Sequence, residues 1–224
     1  TDKEKKYNIL YVMHGGLRVF VSTFFVFSDY FKPAIRMAAL MKLPVIYILS
    51  HDSIAVGEDG PTHQPIEQLT MLRSIPNVLV LRPCDGNETA ASYNIAMLSK
   101  DQPVVLVLTR QNVTTVTNQV FEEVKKGAYI ISKEAKTNFD GIILASGSEV
   151  ELAIDTQKAL EKENIFTRVV SVTSMELFDT QSGEYKEHIL PNKIRRRMSI
   201  EMGSTMSWHK YVGLDGIVVD IDSF

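Results

Sequence analysis

The chain has 224 residues, 45% of them hydrophobic and 23% charged, with a formal net charge of -3. These values exclude the disordered and fibrous classes, and the length fits one large domain or, preferably, two modest ones. A mild negative charge without a basic face argues against nucleic acid as the main partner, because phosphate neutralisation needs clustered Lys and Arg.

The opening TDKEKK is not followed by a signal-type apolar region, and no apolar stretch approaches the roughly 20 residues needed to span a bilayer. A cytoplasmic protein with no membrane partner is expected. Phe24, Phe27 and Tyr30 recur every three residues in TFFVFSDY, so in a turn or short helix they share a side. Such a stripe packs in a core or faces a flat heteroaromatic ring. Residues 29–41 read as a helix with Pro33 in the first turn and Ile35, Ala38, Ala39 and Met41 as its buried stripe. The continuous, β-branched run VIYIL at 45–49 reads as a strand covered on both faces, with His51 at its carboxyl end. Residues 51–65, HDSIAVGEDGPTHQP, form the loop to a helix whose first turn is read from Pro65 onward and which ends near Ser74.

A strand follows at 78–81, and Asp85 and Glu88 have capping-box spacing ahead of a helix to about Ser99. The lone cysteine, Cys84, excludes an intrachain disulfide, suits a reducing compartment and reads as a buried structural thiol rather than a nucleophile. Residues 104–109 read as the next buried strand, which puts Arg110 at another carboxyl end. Residues 112–126 are polar and read as a linker. The alternation then restarts with a strand at 141–145, a tight turn at Ser146-Gly147-Ser148, a helix at 150–163, a strand at 167–172 and short strands near Met198 and Ile217. The turn at 146–148 either receives an anion on its backbone amides or needs small residues for shape alone. Arg195, Arg196 and Arg197, short of a basic tract, read as a solvated element end. The alternation predicts an α/β chain of two three-layer domains with mostly parallel sheets, over residues 1–118 and 128–224, joined by a linker at 119–127.

In open parallel sheets ligands collect at the carboxyl ends of strands, so the 51–65 loop is the candidate site. It offers His51, Asp52, Glu58, Asp59 and His63, with Arg110 from a nearby strand end. Histidine donates or accepts near neutral pH and a carboxylate accepts from hydroxyls, a set suited to a polyhydroxylated, anionic small molecule. A metal site is the competing reading, although two histidines twelve residues apart lack zinc-ligand spacing. A third reading is a loop whose polar groups satisfy one another.

The run from HGG at 14–16 through TFFVFSDY, PVIYILSHDSIAVGEDGPTHQPIEQL, RPCDGNET and LTRQN resembles transketolase. SGSEVELA and WHKYVG resemble that family's C-terminal domain, so the resemblance covers essentially everything after residue 13. It implies thiamine diphosphate-dependent transfer of a two-carbon ketol unit between sugar phosphates. By this likeness Phe24, Phe27 and Tyr30 line the cofactor's aminopyrimidine ring, and His51 and Arg110 bind the sugar phosphate. Asp59 accepts from a sugar hydroxyl, and His63 contacts the donor's first hydroxyl and moves protons as the catalytic residue.

Departures accompany the likeness. The glutamate of the family's GVRE-type segment, its GDG metal–diphosphate motif and its N-terminal domain have no counterpart here, Val21-Ser22 replaces a Gly-containing pair, and the chain stops at DIDSF. The resemblance therefore implies a C-terminal portion, incomplete at both ends and inactive alone. Magnesium or calcium ligands are expected in the missing domain, and the full-length protein is expected to be a homodimer. The alternative is a non-catalytic or split-subunit module that pairs with a separate cofactor-binding chain.

Overall fold

The computed structural model describes residues 8–13 and 17–224, so the HGG segment at 14–16 lies outside the described residues. The first sheet comprises β1 (Asn8–Met13), β2 (Leu17–Phe24), β3 (Ile46–Ser50), β4 (Leu79–Leu81) and β5 (Val104–Leu108) in the order β1-β2-β3-β5-β4. β1 pairs antiparallel with β2, and the other four strands run parallel. Helices α1 (Ser28–Leu40), α2 (Gln68–Arg73) and α3 (Gly86–Leu98) connect them.

Side chains alternate across the pleat, so each apolar run feeds two cores. Tyr47 and Leu49 of β3 pack with Ile35 of α1 and Leu72 of α2 on one face, while Ile46 packs with Leu106 and Ala96 of α3 on the other. That double coverage is why 45–49 carries no polar alternation.

After α4 (Phe121–Val124), the second sheet holds β6 (Ala128–Ser132), β7 (Gly141–Ala145), β8 (Thr167–Val172), β9 (Arg197–Ile200) and β10 (Ile217–Val219) in the order β10-β9-β7-β8-β6. Only β6 is antiparallel to its neighbour. α5 (Glu149–Lys162) covers one face through Ile143, Ala145, Val150 and Ala153. α6 (Met175–Asp179), α7 (Gly183–Ile189) and α8 (His209–Val212) cover the other, with Trp208 fully buried among them.

Four expectations shift. Met41 leaves the buried stripe, because α1 ends at Leu40 and Met41 is 60% exposed at its cap. α2 begins at Gln68 rather than at Pro65, because the Gln68 side chain takes the Ile66 N–H at 2.9 Å and holds residues 65–67 out of the helix. Glu88 accepts from the Cys84 N–H at 2.8 Å, one residue before the position a capping box uses. Arg197 is no solvated end: it turns inward and donates to the carbonyls of Leu190, Pro191, Ile194 and Tyr211, while Arg195 stays exposed against Asp215.

Buried ionic groups join the two units alongside apolar packing such as that of Ala91 with Val124 and Tyr129. Arg82, fully buried just past β4, donates through Nε and Nη2 to Asp52 of its own unit at 3.0 and 2.8 Å. Through Nη1 it meets the Ser146 carbonyl at 2.9 Å and the carboxylate of Glu149 in the second unit. Arg73 grips Glu201 with both guanidinium nitrogens at 2.7 and 3.0 Å, and the Trp208 indole N–H donates to the same carboxylate. Nearby, Glu88 accepts from the hydroxyls of Tyr129 and Ser171 across the junction. Cys84 is buried there, its thiol pushed up by burial and then by Glu88 and Asp85.

Glu201 resists the pull of its own burial because Arg73 and Arg82 outweigh it, and its carboxyl is held at about 2. A carboxyl so depressed stabilises the fold fully above its unfolded value near 4.5, and that contribution fades as pH falls toward 2. Urea denaturation across pH 2–5 is therefore expected to show a loss of ~3 kcal/mol that Glu201→Gln abolishes. An unchanged profile in the variant contradicts this assignment.

Candidate functional site

The parallel strands of the first sheet end side by side. Phe24 pairs with Ser50, and Ser50 with Leu108, so Phe24, His51 and the segment leading to Arg110 share one rim. From Phe24 the chain turns through a short 3-10 segment, Phe25–Phe27, into α1, which sends Phe25 into the core and Phe24 and Tyr30 outward. Phe24 is 40% and Tyr30 73% exposed, so these rings stand at the surface rather than in the core. The Phe24 and Phe27 rings lie nearly parallel with centroids 6.3 Å apart, and Phe27 and Tyr30 are 6.2 Å apart.

Both loop histidines meet this wall. The His51 ring stacks on Phe24 at 3.8 Å, and His63 meets Phe27 edge-on at 5.5 Å. His51 holds a left-handed backbone, φ 64°, with Nδ1 hydrogen-bonded to the Ser50 hydroxyl at 3.0 Å. His63 Nδ1 is bonded to the Thr62 hydroxyl at 2.9 Å. The loop folds on itself: the His63 and Gln64 N–H groups both donate to the Gly60 carbonyl, and Gly60 takes φ 73° with open space beside it. Glu58 and Asp59 project into solvent. Arg110 is exposed as well.

The His51 imidazole is lowered below its ordinary value, first by burial and then by the Arg110 charge, with Asp59 and Asp52 opposing. A neutral ring beside a guanidinium can donate to or accept from an anionic, hydroxylated ligand. The exposed edge of this aromatic wall, Tyr30 above all, offers apolar contact to a flat ring. Among the described residues no three His, Cys, Asp or Glu side chains gather to hold a metal ion. No helix among them is long and apolar enough to cross a membrane.

Asp52, although in the loop, leaves the site: it is 2% exposed and bound to Arg82. The Ser146-Gly147-Ser148 turn receives a cation, not an anion. The Arg82 guanidinium lies so close that a Cβ on Gly147 would sit 2.7 Å from its central carbon. Two residues that support the site gave no local signal. Gln68, 2% exposed, donates to Asp29 at 3.1 Å and so ties the end of the loop to the start of α1, beside Tyr30. Arg82 lies inside RPCDGNET, where only its long-range partners reveal its role.

A family model described as "Transketolase, pyrimidine binding domain" matches residues 11–115, and one described as "Transketolase-like TK C-terminal domain" matches residues 127–224. The transketolase of Bacillus subtilis is 57% identical over 216 residues, which are 95% of this chain and 32% of the relative. That of Streptococcus pyogenes is 56% identical over 215 residues, 95% of this chain and 29% of the relative. The chain thus spans about a third of the length of the curated relatives it matches. Among solved structures, a Pichia stipitis transketolase complex with sedoheptulose-7-phosphate superposes with a TM-score of 0.86 at 42% identity, over 92% of this chain and 29% of that one. The Campylobacter jejuni transketolase gives 0.84 at 42% identity, over 92% and 31%. A split gene transketolase chain, 24% identical, shares the fold with a TM-score of 0.72 over 91% of this chain and 67% of that one.

An NMR titration is expected to place the His51 midpoint below the ~6.5 of a free imidazole. Because the folded value lies below the unfolded one, protonating His51 costs stability as pH falls through that range. Arg110→Ala should raise the midpoint and Asp59→Asn should lower it further, and a midpoint indifferent to both contradicts the electrostatic reading.

Proposed function

Because the chain belongs to the transketolase family, we propose that its parent protein transfers a two-carbon ketol unit from a ketose phosphate to an aldose phosphate with thiamine diphosphate. This chain supplies the pyrimidine side of that site. The observation that carries the reading is the meeting of Phe24 with His51 and of Phe27 with His63 at one strand-end rim. When bound, thiamine diphosphate supplies the carbanion-stabilising chemistry, and the protein supplies binding, orientation and protons.

Phe24, Phe27 and Tyr30 would hold the aminopyrimidine ring, and the exposure of Phe24 and Tyr30 suits contact with a flat heteroaromatic group. Arg110 binds the sugar phosphate through its planar fork, with His51 as a second donor. Asp59 accepts from a sugar hydroxyl and sets stereochemical preference. His63, with Nδ1 engaged by Thr62, uses its other nitrogen to exchange a proton with the donor's first hydroxyl. The magnesium or calcium and diphosphate ligands belong to a domain outside this chain, so the chain alone is inactive. The full-length protein works as a homodimer, and the exposed Met37, Leu40 and Met41 on α1 suit a surface covered there. The buried, reduced Cys84 accords with a cytoplasmic setting.

In the full-length protein, His63→Ala is expected to lower kcat by about 10²–10⁴-fold, the range for a lost general acid or base. Arg110→Ala should raise KM for a phosphorylated ketose well above its effect on a non-phosphorylated one. Steady-state kinetics on both donors check this, and a fully active His63→Ala variant contradicts the assignment. The isolated chain with thiamine diphosphate and magnesium should show no ketol transfer.

A further inference from the structure

His51 pairs a left-handed backbone with a ring packed on the aromatic wall. A non-glycine residue at φ 64° is strained and persists only where its surroundings dictate the shape. Upstream, the sheet fixes it: Ser50 is the last paired residue of β3. Downstream, the next residue is Asp52, whose buried carboxylate is bound by Nε and Nη2 of Arg82. Ser53 follows, fully buried.

The guanidinium is shared between two edges. Nε and Nη2 face the loop, whereas Nη1 faces the second unit, at the Ser146 carbonyl and hydroxyl and the Glu149 carboxylate, with Glu201 at 3.5 Å. None of these groups touches the aromatic wall or the exposed side chains of the loop. A lysine, a point charge on a flexible stem, cannot serve both edges at once.

We infer that Arg82 is a positioning residue that sets the His51 backbone and ring through Asp52, and that Ser146 and Glu149 of the second unit act on the sugar-phosphate site through the same guanidinium. The kinetic part of this inference rests on the proposed substrate role of His51, whereas the structural part does not. The second unit is thereby a working part of the site, and it also meets the segment after β5, where the Ser148 hydroxyl accepts from Gln111 at 3.1 Å.

The test uses the full-length protein with thiamine diphosphate and magnesium, labelled with ¹³C-histidine. Asp52→Asn and Glu149→Gln are near-isosteric, and Ser146→Ala is the milder variant should either fail to fold. Each is expected to shift the His51 ring resonance toward its position in Phe24→Ala, because the ring leaves the aromatic face. Each should also raise KM for the ketose phosphate, by about tenfold for Asp52→Asn and Glu149→Gln, at nearly constant kcat, the pattern of lost uniform binding. Arg82→Lys should not restore the wild-type resonance. An unmoved His51 resonance in folded Asp52→Asn, Glu149→Gln or Ser146→Ala overturns the inference. If the resonance moves but neither these variants nor His51→Ala changes KM, the substrate role of His51 fails while the positioning stands.

Discussion

One buried cation ties the loop at the rim to the second unit. Arg82 has no exposed surface, and removing an ion of this size from water costs several kcal/mol even after the protein relaxes. Burial works against its charge, yet Glu149, Asp52 and Glu201 outweigh that and raise its proton affinity further. Those carboxylates come from three separate segments, so the cation is stable only when the loop, α5 and the end of β9 are all in place. Arg73 completes the charge set by gripping Glu201. Asp220, pushed up to about 8 by burial and by the neighbouring Glu201 and Asp222, stays largely neutral at pH 7 and adds little further negative charge.

The parallel sheet provides the other half of the arrangement. Register puts Phe24, Ser50 and Leu108 level with one another, so three chain segments leave the sheet at the same height. What each segment does next is decided locally. Phe25 fills the core and turns β2 into a 3-10 segment, His51 takes its left-handed step, and Gly60 accepts two amides to close the loop. Gln68 then anchors the loop end to Asp29, so the wall and the loop are held against each other by a side-chain bond as well as by the sheet.

Much of this was legible in the residue pattern because burial on two faces leaves a plain mark. The runs at 45–49, 104–108 and 141–145 are apolar without alternation and each forms an interior strand, whereas 167–172 is an interior strand that also carries Thr167, Arg168 and Ser171. His51 and Arg110 were legible at the rim because they follow two of those runs, and Phe24, Phe27 and Tyr30 because they recur every three residues. Short elements were harder: α6, α7 and α8 are five, seven and four residues long, too brief for a helical period to register. Long-range polar partners left no mark at all. Nothing beside Asp52 tells that its counter-ion is Arg82, thirty positions away, so it was grouped with the solvent-facing acids of its loop. Ser146-Gly147-Ser148 showed a need for small residues but not that the visitor is a guanidinium. Arg197 looked solvated among three arginines because the carbonyls it serves come from separate turns.

Glu88 gives the junction a further property. It rises from α3 in the first unit, is fully buried, and finds its hydroxyl partners on β6 and β8 of the second. Burial lifts its carboxyl above the ordinary range, while the hydrogen bonds from Ser171, Cys84 and Tyr129 pull the other way. A chimera that exchanged the second unit for an unrelated α/β module would strand this acid and Arg82 together in a dry seam. A graft that keeps both groups partnered must therefore bring hydroxyls at 129 and 171 and acids at 149 and 201 with it.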